Sequence, residues 1–293
     1  MDGQSFSAPI ADVSHVRRKW LDLPYASLSP AQRLDIYSPD EGDGPFPILL
    51  YIHGGGFAFE DKRRIHLLPF LKGIERGYAV VGVDYRLSGE ALFPAGIQDV
   101  KAAIRWLRAN SAQYQLDGSR IAACGGSSGG NYAAMICLTD HVAELEDLSL
   151  GNPGYPCDVQ AALDWYGPTD FLKMDAQLDE NGYGPSHHAD PDSPESMYLG
   201  AKLADVTLKV ELANPMTYIH KNMPPLLIQH GRLDTLVPVQ QSMIFAAKLE
   251  KYVSPDRFEF DIIEGAGHAD PLFETDANMA RVFSFLDRHL KAS

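Results

Sequence analysis

Strands alternating with helices, in a mostly parallel sheet covered on both faces, are what this 293-residue sequence predicts. Three observations lead there. Apolar, β-branched runs recur between turn residues, and from the third onward most are near-continuous, as in strands buried on both sides. Segments of helical period separate several of them. No internal repeat or low-complexity stretch breaks the series.

The runs are "RLDIY" (33–37), "FPILLYIHG" (46–54), "YAVVGVDYR" (78–86), "RIAACGG" (120–126), "VQAALDWYG" (159–167), "PPLLIQHG" (224–231) and "RFEFDIIEG" (257–265). The early ones precede any strong helical segment, so an antiparallel edge is expected there. Pro94 opens a segment that sets Ile97, Val100, Ile104 and Leu107 on one stripe, and proline is tolerated at a helix start. Segments 238–252 and 278–290 have the same character. Residues 168–223 depart from the rhythm, being rich in Pro, Gly, Asp and Ser before the helical "LADVTLKVELA". They carry too little apolar surface for a core of their own. The expectation is one domain over 1–293 with a small lid- or cap-like insertion at about 168–223.

Bulk composition narrows the partners. With 39 acidic and 25 basic residues the formal charge is −14, which repels phosphate backbones and anionic lipid. Neither nucleic acid nor a membrane is expected as a partner. The start of the chain lacks a basic segment followed by an apolar run, and no stretch reaches the roughly 18 apolar residues of a membrane span. Three cysteines, Cys124, Cys137 and Cys157, are odd in number and lack metal-ligand spacing. Free thiols in a reducing cytoplasm are the expectation.

"ACGGSSGGNYAAM" (122–134) carries the first chemical signal. A predicted strand runs into a glycine-rich turn and then a predicted helix, the setting of a strained G-x-S-x-G elbow. Small residues two before and two after the serine avoid collision, and the helix N-terminus faces developing negative charge. Ser127 fits with Gly125 and Gly129, and Ser128 fits with Gly126 and Gly130. A phosphate loop is disfavoured because no lysine follows at the required position. A dinucleotide fingerprint fits only loosely, and a structural glycine-rich turn is the plain alternative.

"HGGGF" (53–57) follows an early strand, and three consecutive glycines are entropically costly unless the backbone must approach something closely. Exposed N–H groups for an oxyanion would need that approach. A serine also needs a base oriented by a third group. His268 lies in "IIEGAGHAD", a glycine-containing loop after a strand, and Asp234 lies in the post-strand turn "QHGRLDTLVP". Loops beyond strand C-termini are where α/β sheets assemble sites. His289 reads as solvated, and His230 as satisfying local backbone. His187 and His188, beside Asp190 and Asp192, read as a solvated polar loop, with a metal site as the sharper alternative.

Together "HGGGF" (53–57), "DYRLSGEALFPAGIQDVKAAIRWL" (84–107), "GGSSGGN" (125–131), "HGRLDTLVP" (230–238) and "GAGH" (265–268) resemble the α/β-hydrolase fold of the hormone-sensitive-lipase-like esterase group. "ALDWYGPTDFLKMD" (162–175) is similar to the bacterial acetyl-xylan and feruloyl-type esterase branch. The resemblance runs from about residue 20 to the last residues. It implies Ser127 as nucleophile, Asp234 as triad acid and His268 as base, with N–H groups of Gly55, Gly56 and Ser128 forming the oxyanion hole. It further implies hydrolysis of short-chain acyl esters, including acetylated or hydroxycinnamoylated carbohydrates, through an acyl-enzyme, with no metal or organic cofactor. "YRLSGEALFPA" departs from the Ala-Pro of many relatives, and no large N-terminal helical cap is expected.

Phe57, Trp165 and Tyr166 are expected to line the substrate pocket, with core packing equally open to Trp165. Asp84, Arg86 and Asp99 read as structural ion pairs. An arylformamidase-like small-amide hydrolase and a non-catalytic ligand-binding homologue are the rival readings. Oligomeric state is left open, a homo-oligomer included.

Overall fold

A computed structural model describes residues 8–183 and 186–291, so 1–7, 184–185 and 292–293 of the expected domain lie outside the described residues. Eight strands form one sheet in the order β1-β2-β4-β3-β5-β6-β7-β8. They are β1 (Lys19–Pro24), β2 (Arg33–Tyr37), β3 (Phe46–Ile52), β4 (Ala79–Val83), β5 (Leu116–Gly126), β6 (Ala161–Trp165), β7 (Leu226–Gly231) and β8 (Phe258–Ile263). Pairing is antiparallel from β1 to β2 and from β2 to β4, and parallel across the rest. The expected antiparallel edge is present.

One strand escaped the sequence reading. β1, "KWLDLP", has no apolar run because it is a half-exposed edge. Its pairing slips between Trp20 and Leu23, where Asp22 takes φ +57 and donates its N–H to Asp35 Oδ1 at 2.6 Å. Such a bulge breaks the alternation that marks a strand in sequence. By contrast β3, β4, β6 and β7 are buried along their whole length, the reason they read as continuous apolar runs.

Helices α1 (Ala95–Ala109), α2 (Ser128–Leu138), α3 (Met174–Glu180), α4 (Pro194–Leu199), α5 (Thr207–Leu212), α6 (Gln240–Tyr252) and α7 (Asp276–Leu290) surround the sheet and frame the cleft at its carboxyl edge. The α1 stripe of Ile97, Val100, Ile104 and Leu107 is buried as its spacing requires. α7 starts where Thr275 accepts a hydrogen bond from the Asn278 amide, a side-chain cap for an otherwise orphan donor. α2 is buried all round, so its sequence carries no polar face. One core cluster holds α1, α2 and α6 residues, and the other packs α7 on the opposite face.

The stretch 168–223 has no separate core. Phe171, Met174, Tyr198, Leu199, Val210 and Met216 all join the α1–α2 cluster. Its second half packs beside α2, where Asn131 Nδ2 reaches Ala213 O at 3.3 Å. Its first half extends toward the carboxyl ends of the strands. Among the described residues no helix is long and apolar enough to cross a membrane.

The α2 N-terminus is wedged against the end of β3. A Cβ on Gly129 would lie 2.2 Å from Ile52 O and 2.7 Å from His53 O, and one on Gly125 would lie 2.3 Å from Gly129 O. Alanine ordinarily gains about 1 kcal/mol over glycine inside a helix. Overpacking at a backbone carbonyl typically costs about 1–3 kcal/mol and wins here. Gly129→Ala is therefore expected to lower the urea unfolding midpoint, whereas a raised midpoint would mean that the β3 end gives way freely.

Candidate active site

Ser127 sits between β5 and α2 with φ +57 and ψ −128. That region costs a non-glycine residue on the order of 1–3 kcal/mol, so the surroundings must impose it. They do so through the Ser127 N–H donated to Trp165 O at 2.9 Å and the Asn131 N–H donated to Ser127 O at 3.1 Å. The wedge at Gly125 and Gly129 closes the turn from the other side.

His268 Nε2 lies 3.0 Å from Ser127 Oγ, and His268 Nδ1 lies 2.7 Å from Asp234 Oδ2. An ionised carboxylate only accepts, so Nδ1 carries the proton and Nε2 presents its lone pair to the serine O–H. Ser128 Oγ is buried and finds no partner among the described residues, so only Ser127 presents its hydroxyl to the imidazole. Asp234 Oδ1 accepts from the amides of Leu236 and Val237, both at 2.9 Å. Burial alone would raise the Asp234 carboxyl. Hydrogen bonds from His230 and His268 outweigh it and hold the group well below the usual carboxylate range.

His230 is fully buried beneath this turn. Its Nε2 lies 2.8 Å from Val237 O and 3.3 Å from Asp234 Oδ2, and its Nδ1 lies 2.7 Å from Ser242 Oγ. The backbone bond agrees with the sequence reading. Contact with Asp234 was hidden because it spans a turn whose shape the sequence does not state.

Gly55, Gly56 and Phe57 take φ +93, +57 and +62 in succession, a path that favours glycine at the first two positions. Among the described residues no acceptor takes the N–H of Gly55 or Gly56. Ser128, first in α2, has the orphan N–H of a helix start. Gly55, Gly56, Ser127 and Ser128 border one cavity.

Two cavities meet at Ser127. One, of about 390 Å³, runs past Phe57, Phe59, Pro168, Leu178 and Val237. The other, of about 310 Å³, is lined by Tyr51, Trp165 and Tyr166 together with Glu60, Arg64, His66 and Glu274. Each expected pocket residue borders a cavity, but all three are largely buried. Phe57 stacks on Tyr198 with ring centroids 4.0 Å apart, and Trp165 Nε1 donates to Gln229 Oε1 at 2.8 Å. Tyr166, at φ +44, sets its ring edge-on to His268 at 4.8 Å. The four ionisable residues of the second cavity carried no sequence signal, since only folding brings 60–66 and 274 together.

Arg86 holds Asp99 through two bonds of 2.8 Å, as expected of a structural pair. Asp84 instead pairs with Lys62, accepting from Nζ at 2.6 Å and from the Lys62 amide at 2.7 Å. His187 is exposed and pairs with Asp190 at 3.0 Å, as a polar loop should. His188 departs from that reading, because it is buried and held by Leu236 O and Glu195. For metals, Asp140, His141 and His220 bring donor atoms within 4.8 Å of one another. They lie past the far end of the 11-residue α2, about 16 Å of helix from the serine.

A carbohydrate esterase from gut microbiota, solved in truncated form, is 30% identical, with TM-score 0.83 over 97% of this chain and 100% of that one. A bifunctional GH43-CE protein of Bacteroides eggerthii is 34% identical with TM-score 0.80, covering 93% of this chain and 35% of that one. Esterase LipQ of Mycobacterium tuberculosis is 30% identical over 78% of this chain and 52% of its own length. The chain spans about half the length of the curated relatives it matches first. The BD-FAE family model matches residues 34–249, most of the chain and both sides of the cleft. The fold, the motif order and that match agree with the resemblance read from the sequence: the chain belongs to the BD-FAE family of α/β-hydrolases.

Proposed function

We propose that the protein is a serine carboxylic-ester hydrolase that works through an acyl-enzyme. The relay of 3.0 Å from Ser127 Oγ to His268 Nε2 and 2.7 Å from His268 Nδ1 to Asp234 carries this reading. In the first step His268 Nε2 takes the Ser127 proton while Oγ bonds to the ester carbonyl carbon. Asp234 holds the imidazole tautomer and stabilises the imidazolium. The negative carbonyl oxygen meets the N–H groups of Gly55, Gly56 and Ser128, each donor typically worth about 3–4 kcal/mol of barrier. His268 then protonates the leaving alcohol as its bond to carbon breaks. A water, deprotonated by the same imidazole, releases the acid and frees Ser127.

Short-chain acyl esters of carbohydrates are the proposed substrates. Support comes from the match, over 97% of this chain, to a carbohydrate esterase solved in truncated form and from the shape of the cleft. The cavity bearing Glu60, Arg64, His66 and Glu274 offers charged hydrogen-bonding groups beside Tyr51 and Trp165, suited to a polyhydroxylated alcohol. The apolar cavity past Phe57 and Leu178 suits the acyl chain. On this reading the chain is one domain, with 168–223 as a cap-like insertion whose first half roofs the acyl side. A cytoplasmic site of action is the accompanying proposal, resting on three buried free thiols.

Ser127→Ala is expected to lower kcat on p-nitrophenyl acetate by about 10⁴-fold or more and to abolish fluorophosphonate labelling. Ser128→Ala is expected to keep both, and the reverse pattern would overturn the assignment. Asp234→Asn, which leaves shape but supplies the wrong tautomer, is expected to cost about 10⁴-fold in kcat. Glu274→Ala is expected to raise KM for an acetylated sugar severalfold while leaving p-nitrophenyl acetate kinetics unchanged. Equal effects on both esters would remove that cavity from sugar binding.

A further inference from the structure

The turn that wraps the Asp234 carboxylate is gripped from two sides by imidazoles. Leu236 and Val237 donate both amides to Asp234 Oδ1, and each of their carbonyls accepts from an imidazole. Val237 O takes His230 Nε2 at 2.8 Å from the core side. Leu236 O takes His188 Nε2 at 2.9 Å from the first half of 168–223. The second grip is the only one of the two that reaches the acid turn from outside the main sheet.

The charge of His188 is set by its partners. A carbonyl oxygen only accepts, so Nε2 must carry a hydrogen. Nδ1 lies 3.1 Å from Glu195 Oε2, an ion-pair distance without hydrogen-bond alignment, and Oε2 has no hydrogen-bond partner among the described residues. A buried carboxylate oxygen left without a hydrogen bond at that distance is balanced by a positive charge on the ring, so the ion pair points to the imidazolium. Burial sharpens the point, because His188 is 9% and Glu195 5% exposed. A carboxylate that deep is costly without a cationic partner.

Other groups around the ring agree. Asp175 on α3 accepts the amides of His188 and Ala189, each at 2.9 Å, and fixes the turn that presents the ring. His187 and Asp190 pair with each other on the exposed side, and Asp234 lies behind the Leu236 peptide. Burial lowers the His188 pKa, but Glu195, the Leu236 carbonyl and Asp175 outweigh it, and the group titrates above its ordinary value.

Glu195 extends the contact across the cleft. It is the second residue of α4, whose first, Pro194, would lie 3.0 Å from a Cβ on Gly56. His188, Glu195, Leu236, Gly56 and Ser127 all border the same 390 Å³ cavity. One buried ion pair therefore joins the wall carrying the acid turn to the wall carrying the glycine loop.

We propose that His188, as an imidazolium paired with Glu195, is a positioning residue that locks residues 168–223 onto the Asp234 turn and so couples closure of the roof to alignment of the Asp234–His268–Ser127 relay. The proposal rests on the reading of that relay as catalytic. It acts through Leu236 and touches no reacting atom.

The sign is fixed by the raised pKa. The latch is complete below it and is lost as pH rises through it, so kcat should fall on the alkaline side of the profile. His188→Ala is expected to lower kcat by about 10- to 100-fold with little change in KM, the scale of a misplaced catalytic group. The double variant His188→Gln with Glu195→Gln replaces the ion pair by neutral amides that do not titrate. It is expected to recover most of kcat and to lose the alkaline fall. A wild-type alkaline limb in the double variant, or an unchanged kcat in His188→Ala, would overturn the proposal.

Should the single variant not fold, the charge is read in otherwise native protein. In Ser127→Ala, the His188 ring protons followed by NMR should titrate above the ordinary imidazole range, and a ring titrating at or below that range would also overturn it. Failure of the relay reading is separate, since it would appear as activity surviving Ser127→Ala.

Discussion

The approach of the α2 N-terminus to the end of β3 is the constraint on which the rest of the site depends. Gly129 lies so near Ile52 O that no side chain fits between them, and Gly125 lies equally close to Gly129. Ser127 is thereby forced into a backbone conformation it would not choose, with its hydroxyl directed at His268. Local strain of this kind persists only where the surrounding packing over-determines it. Here the packing is the all-round burial of α2 between two layers of a large core.

Two buried aspartates at the carboxyl ends of neighbouring strands show how donors decide charge. Asp234 receives two amides and two imidazoles and is held strongly ionised. Asp164, as deeply buried, receives the Gly167 N–H at 2.9 Å, and its second oxygen has no partner among the described residues. Burial pushes its carboxyl up to about 6. In the proposed relay the first serves as the acid, because a permanent anion is what keeps the imidazole tautomer in place. Asp164 serves instead as an acceptor for the Gly167 turn that opens the 168–223 stretch.

That stretch has two physical roles in one segment. Its second half supplies apolar side chains to the face of α2 and behaves as core. Its first half begins with Phe171 and Met174 anchored in the same core and then carries polar and proline-rich sequence over the cleft, where residues 186–192 are held by directional contacts. His188 on Leu236 and Asp175 on the 188–189 amides are of this kind. A roof edge attached by directional bonds, beyond the part anchored in the core, can be seated or released by a change of charge.

The sequence by itself determined the strand series, the helical stripes, the histidine and aspartate that meet, and an elbow at Ser127 or Ser128, with Ser127 implied by the family resemblance and placed against the imidazole by the fold. Each of these signals is local: unbroken apolar runs for doubly covered strands, a 3.6-residue stripe for α1, and glycines where backbone must touch backbone. Tertiary structure alone decided β1, the pairing of Asp84 with Lys62, the grouping of Glu60, Arg64, His66 and Glu274, and the burial of His188. Edge strands with a bulge carry no period, and the charge of a polar side chain depends on partners tens of residues away. A motif can be read from neighbours along the chain, whereas burial and pairing exist only once the chain has closed on itself.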